Sequence, residues 1–318
     1  MKRPTMRMVA VTALVLACGQ TPEAGTDPEP VAPAEGAAPE SASNDASETA
    51  EPSGDEGFGA PTGAPPALDL ARLEIVDLTH SLGEDTLFWP TSPSGFELET
   101  LARGQTEGGY FYAANRFCTP EHGGTHLDAP IHFGEGQPAV DALEVDRLIG
   151  PAVVLDVTEE ASENPDYRLD RAWVERWEIN HGPIPEDSLV LLRTGWSDRW
   201  PDRERYFGNT GPEDIENLHF PSYGEEAARY LVQERRVAVL GVDTASIDYG
   251  QSKDFIVHQV AALSAVPGLE NLTRLDRLPP TGAWVFALPA KIAGGTGAPV
   301  RVVALIPEEG EAASGEEP

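Results

Sequence analysis

The stretch His122-Gly123-Gly124-Thr125-His126-Leu127-Asp128-Ala129-Pro130-Ile131-His132-Phe133 gathers three of the chain's seven histidines within eleven residues, with one aspartate among them. Imidazole and carboxylate are the usual ligands of borderline divalent cations. Gly123 and Gly124 let the backbone turn tightly, and Pro130 disfavours helix, so the segment reads as a loop or strand end. In an extended chain, residues two apart share a face. His126 and Asp128 then point at one ion, and the glycine turn brings His122 back to it. His132, four residues past Asp128, reads either as a further ligand or as a general acid/base. An imidazole suits the second role because its ordinary pKa of roughly 6.5 lies near working pH.

Short runs rich in Val, Leu, Ile and aromatics surround this segment and read as strands. They are Leu73-Leu78, Tyr110-Phe117, Ala152-Val157, Leu189-Leu192, Val237-Val242, Trp284-Leu288 and Val300-Ile306. Helical spacing marks Asp170-Ile179, Gly224-Arg236 and Phe255-Val266, the last stopped by Pro267 and Gly268. Strands outnumber helices without strict βαβ alternation. The pattern predicts an α/β fold, a mixed, barrel-like β-sheet with surrounding helices. Lys291 to Gly297, with three glycines, reads either as a backbone-donor loop near a substrate or as a turn between strands.

The ends of the chain differ from its middle. Lys2, Arg3 and Arg7 precede a short apolar run, Met8 to Ala17, too short to span a bilayer. Residues 1–17 read as a signal peptide, and Val15-Leu16-Ala17-Cys18 looks like a bacterial lipoprotein cleavage site with Cys18 acylated. Residues 19–66 carry ten acidic residues and no Lys or Arg in a Pro-, Ala- and Ser-rich background. Such a segment buries too little apolar surface to offset its ordering entropy, so it reads as a disordered tether. Residues 67–307 form the expected folded domain, and 308–318 an acidic tail. The expected location is therefore outside the inner membrane, lipid-anchored to the cell envelope. The formal net charge of −31 argues against nucleic-acid binding and against membrane contact other than through the anchor. With Cys18 reserved for acylation, stability must come from a conventional core rather than a disulfide framework.

Separated motifs in order give the sequence a family resemblance. Asp77-Leu78-Thr79-His80 with Phe88-Trp89-Pro90, the histidine segment, Leu191-Leu192-Arg193-Thr194-Gly195-Trp196, and Gly241 to Asp248 followed by His258 and Glu270 resemble the cyclase-like metal-dependent hydrolases. That group includes bacterial kynurenine formamidase and isatin hydrolase. The resemblance implies a mixed β-barrel with outer helices, usually oligomeric, and hydrolysis of a small aryl amide, formamide or cyclic amide by metal-activated water. It implies His122, His126 and Asp128 as first metal ligands, and Asp128, His258 and Glu270 as a second set with Asp128 bridging. It implies His132 as the proton donor and acceptor and Trp89 as a substrate-contacting aromatic. The cofactor is then zinc or manganese, one or two ions, and the chain a homo-oligomer. On residues alone, His258 reads as a helix-terminal histidine, Glu270 as a surface carboxylate and Trp89 as a core aromatic. The rival reading is a lipid-anchored metal- or solute-binding protein without turnover. Two departures from the compact formamidases, the longer stretch between Pro201 and Pro221 and the leader, weigh against carrying over their substrate directly.

Overall fold

The structure, a computed structural model, describes residues 72–92, 94–208 and 215–307. The expected signal peptide, Cys18, the 19–66 tether and the 308–318 tail lie outside the described residues.

Alternation along the central strands explains the layering. In β5 (Ile149–Asp156) and β7 (Leu189–Arg193), Ala152, Val154, Leu189 and Leu191 face one apolar cluster. Their neighbours Val153, Leu155, Val190 and Leu192 face another. Successive side chains point to opposite faces of a strand, so a strand buried on both sides reads as an uninterrupted apolar run. The first cluster fills the interior of the sheet. The second lies beneath α2 (Arg171–His181) and α4 (Glu225–Arg229), which supply Val174, Trp177, Ala227 and Ala228; a π-turn continues α4 through Tyr230–Glu234.

Eight strands make one sheet. Five complete it: β9 (Val239–Val242), β10 (Gly268–Glu270), β4 (His126–Asp128), β11 (Trp284–Pro289) and β12 (Gly297–Pro307), with β1 (Leu73–Asp77) on the outer edge of β12. Strands β5, β7, β9 and β10 run parallel, while β1, β4, β11 and β12 pair antiparallel. The long strand β12 pairs with β11 over one part and with β4 over another, so the sheet closes on itself. The expected mixed barrel with outer helices is therefore observed.

One hairpin stands apart from the barrel. Strands β2 (Glu97–Gln105) and β3 (Phe111–Cys118) form a separate hairpin. Its Leu98, Leu101, Phe111, Tyr112 and Phe117 are more than half exposed. β2 escaped the sequence reading because neither face is buried, which leaves no apolar alternation to detect. Short elements escaped for another reason: β6 (Arg168–Leu169), β8 (Ser222–Tyr223), α1 (Thr158–Glu163) and α3 (Arg203–Phe207) are too brief to show a period. The helix α5 (Ile256–Leu263) is shorter at both ends than the expected span.

Candidate metal centre

Strand β4 places His126 and Asp128 on one face while Leu127 points into the core, fully buried. The turn before it needs both glycines. Gly124 has φ +60°, a conformation that favours glycine. Gly123 bridges to Phe88, and a Cβ there would lie 2.1 Å from the Phe88 ring. This turn returns His122 to the strand, with its Nδ1 2.6 Å from Asp128 Oδ1.

Sheet register brings in the second half. β10 lies antiparallel to β4 with Glu270 directly opposite His126. Opposed residues share a face, so Glu270 turns inward, and its Oε2 is 3.5 Å from His126 Nε2. Glu270 is 4 % exposed, so its reading as a surface carboxylate is corrected by the pairing. His258 projects from the first turn of α5. Its Nε2 lies 3.1 Å from Asp128 Oδ2 and 3.2 Å from Glu270 Oε1. The start of α5 is anchored by Asp248, whose carboxylate accepts from the backbone N–H groups of Val257 and His258. His122, His126, Asp128, His258 and Glu270 thus converge from four elements.

Hydrogen bonds behind the rings set which nitrogen faces inward. His126 donates Nδ1–H to the Gly124 carbonyl at 2.9 Å, leaving Nε2 toward Asp128 and Glu270. His258 Nδ1 lies 2.7 Å from Asp248 Oδ2, which leaves its Nε2 toward the same carboxylates. Fixing the tautomer through the outer nitrogen is what metal-binding histidines ordinarily require. Burial alone would lower the pKa of His126, but the charge and hydrogen bond of Asp128 and the charge of Glu270 raise it to about 9. Burial acts the same way on His258, and its bonds to Asp128, Asp248 and Glu270 overcome it and push its pKa well up. Asp128 is held well below the carboxylate range: burial would raise it, but the charge of His126 and bonds from three imidazoles prevail. Two buried carboxylates side by side need compensating positive charge. A divalent cation supplies it to a donor set of imidazoles and carboxylates, and this set fits one.

Above these converging residues lies a cavity of about 250 Å³ whose walls include Leu87, Phe88, Trp89, Phe133, Phe207 and Phe255. Trp89 is half-buried and meets Phe255 and Phe220 edge-on at 6.1 and 6.5 Å. It is both a packed aromatic and a cavity wall. His132 follows the turn at Pro130, with an edge open to solvent and its ring against His122. Its partial removal from water lowers its pKa, Asp128 opposes, and the nearby His122, His258 and His126 add to the lowering, to about 4. Its nitrogen is near enough to His122 and Asp128 to join a ligand group with them.

Several residues of the site carried no role in the sequence reading. Asp248 sits at the end of the Gly241–Asp248 motif, and only the helix packed on it reveals its task. Asn271, beside Glu270, donates Nδ2–H to the Gly124 carbonyl at 2.9 Å and accepts from the Tyr206 hydroxyl at 2.8 Å. The glycine-rich Lys291–Gly297 segment is a turn leading from β11 into β12, and its Thr296 reaches His122.

Residues 76–249 match the family described as Cyclase. Isatin hydrolase of Roseibium aggregatum is 32% identical over 253 residues, covering 74% of this chain and 93% of that protein. Kynurenine formamidase of Salinibacter ruber is 30% identical over 236 residues, covering 73% and 97%. The solved structure of isatin hydrolase A from Labrenzia aggregata bound to benzyl benzoate superposes with a TM-score of 0.69 at 35% identity, covering 75% of this chain and 95% of that one. This chain belongs to the Cyclase family. As a family member with a His/Asp/Glu cluster able to hold a divalent cation, it is a metal-dependent amide hydrolase.

Proposed function

We propose that this enzyme cleaves the C–N bond of a small aryl amide, either a cyclic amide of the isatin type or a formamide of the N-formylkynurenine type. The observation that carries this reading is the aromatic cavity lying directly on the five converging ligands, with His132 beside it. Flat walls such as Phe88, Trp89 and Phe133 suit an aryl ring by edge and face contact. When bound, a divalent cation here lowers the pKa of water and polarises a carbonyl. His122, His126 and Asp128 would hold one such cation, and Asp128, His258 and Glu270 would hold a second. His132 takes the proton from the attacking water and passes it to the departing nitrogen, a contribution typically of ~10²- to 10⁴-fold. The ring of His132 has solvent on one side and the ligands on the other, which suits a group that must exchange protons. Phe133 and Phe255 line the adjoining wall.

Zinc and manganese both suit the donor set. Asp128 supports a two-ion reading, because Oδ1 faces His122 and His126 while Oδ2 faces His258. The experiment is elemental analysis of the full chain with a hydrolysis screen of isatin, N-formylkynurenine and simple lactones. We expect at least one transition metal per chain, activity on an aryl amide, and loss of activity on chelation with recovery on metal return. Full activity after exhaustive chelation defeats the metal reading. Metal without turnover on any of these substrates would favour the alternative, a binding protein.

The quaternary proposal is a homo-oligomer. A two-stranded hairpin is marginal in water by itself, and β2–β3 exposes Leu98, Leu101, Phe111 and Tyr112. The same chain leaves a matching row open: Ile75, Leu305 and Trp284 lie side by side across β1, β12 and β11, with Ile75 and Trp284 exposed. A chain carrying both features can satisfy each with a second copy. Light scattering on Phe111→Asp tests this; a wild-type chain that is monomeric at micromolar concentration ends the proposal. The location proposal, a lipid anchor at Cys18 outside the inner membrane, rests on the leader sequence alone.

A further inference from the structure

We infer that Glu121 and Thr296 form a positioning relay that commits His122 to its metal through Nδ1. The inference deepens the metal-site reading above and rests on it. Thr296 Oγ1 is 2.6 Å from Glu121 Oε2 and 2.8 Å from His122 Nε2. A hydroxyl has one proton, and an ionised carboxylate can only accept. The hydroxyl therefore donates to Glu121, and its lone pairs face His122. His122 Nε2 must then carry a hydrogen and donate it to Thr296. That leaves Nδ1, which lies 2.6 Å from Asp128 Oδ1, as the coordinating atom. His126 and His258 are held the opposite way round, each through its Nδ1 by a Gly124 carbonyl and by Asp248, with Nε2 inward.

The surrounding turn is shaped to keep this relay in place. Glu121 Oε2 also accepts from the Thr296 backbone N–H at 3.0 Å, so one carboxylate fixes both ends of the threonine. The Thr296 carbonyl accepts from Ala129 N–H at 2.9 Å, next to Asp128. A Cβ on Gly297 would lie 2.6 Å from His122 Cε1, and one on Gly295 would lie 2.9 Å from Glu121 Oε1. At Gly297 the backbone can approach His122 so closely only because the position is glycine, since a Cβ would also lie 2.7 Å from the Leu127 carbonyl oxygen. This is the role that the glycine-rich segment plays near the site. Because His132 is stacked on His122, the relay also steadies the ring beside the cavity.

Glu121 and Thr296 are positioning residues, so the test reads metal affinity and ring state rather than turnover. Zinc affinity is measured on the full chain by competition with a chromophoric chelator. Nitrogen-15 NMR of the zinc-loaded protein identifies which nitrogen of His122 keeps its proton. The variants are Thr296→Val, which keeps the shape and removes the hydroxyl, Thr296→Ser, which restores it, and Glu121→Gln. We expect the wild type to show a protonated Nε2 and a coordinated Nδ1. Thr296→Val should lose about 10- to 100-fold in zinc affinity, the range seen when outer-shell partners of metal-binding histidines are removed. Thr296→Ser should recover most of it, and Glu121→Gln should weaken binding while still folding. Zinc coordinated by Nε2 of His122 in the wild type overturns the relay. So does unchanged zinc affinity in folded Thr296→Val, or, if that variant does not fold, in Glu121→Gln. A wild-type chain that binds neither zinc nor manganese overturns the metal reading itself, and the relay with it.

Discussion

The imidazole of His132 lies face to face on that of His122, with ring centroids 3.9 Å apart and planes 18° from parallel. A neighbour stacked so closely can be a further ligand or a proton carrier, and the two roles fail differently. Asp128→Ala should lose metal, because the carboxylate touching three imidazoles disappears. His132→Ala should keep its metal and lose turnover by ~10²-fold or more, since only proton transfer is removed. Metal content and rate measured on both purified variants decide the matter. Equal metal loss in the two would make His132 a ligand.

Gly123 offers a test of the turn that returns His122. Its added Cβ would sit 2.1 Å from Phe88 Cδ1, so Gly123→Ala must displace either the Phe88 ring or the backbone carrying His122. Overpacking of this kind costs typically ~1–3 kcal/mol. We expect a lower melting temperature together with weaker zinc binding. Wild-type values of both would mean that the turn is not under this constraint.

Glu178 predicts how stability responds to acid. Its carboxylate is nearly buried, which by itself would raise its pKa. Bonds from Arg235, the Tyr230 hydroxyl and the Ile184 N–H outweigh burial and lower it to about 2. The folded value lies below the unfolded one, so this carboxylate stabilises the fold above the ordinary glutamate range, and that contribution is lost as pH falls from about 4.5 toward about 2. Glu178→Gln should lower stability at neutral pH by on the order of 1–3 kcal/mol, because Arg235 and the Tyr230 hydroxyl lose a charged hydrogen-bond acceptor. It should also flatten the acid side of the profile. Denaturant melts of both proteins from pH 2 to 7 read this directly, and parallel profiles would contradict it.

Cys18 is the testable centre of the location proposal. Mass spectrometry of the mature chain from a secreting bacterial host should find an N-terminal acylated Cys18. Limited proteolysis should remove residues up to about position 66 and leave the domain intact. An intact Met1, or a mature chain in which Cys18 is bridged to Cys118 instead, would overturn the anchor.

The sequence by itself determined much of this enzyme's chemistry. Strands β1, β5, β7, β9, β11 and β12 were legible because burial on one or both faces leaves a run or alternation of apolar residues, and β3 because it is rich in strand-favouring aromatics although it is exposed. His122, His126, Asp128 and His132 were legible as a group because they are adjacent in the chain, where glycine and proline restrict the backbone enough to reason about direction. Glu270 and His258 were assigned only through the family resemblance, since twelve residues and a helix stop separate them and no period links them. What joins them is decided in three dimensions: the antiparallel register sets Glu270 opposite His126, and Asp248 fixes the start of the helix that presents His258. The same holds for Thr296, which lies 174 residues from His122 and meets it because β12 pairs with β4. Local physics sets which residues can bind a cation or form a strand, whereas the closing of the barrel sets which distant residues share one face, and a sequence of independent segments carries no record of that register.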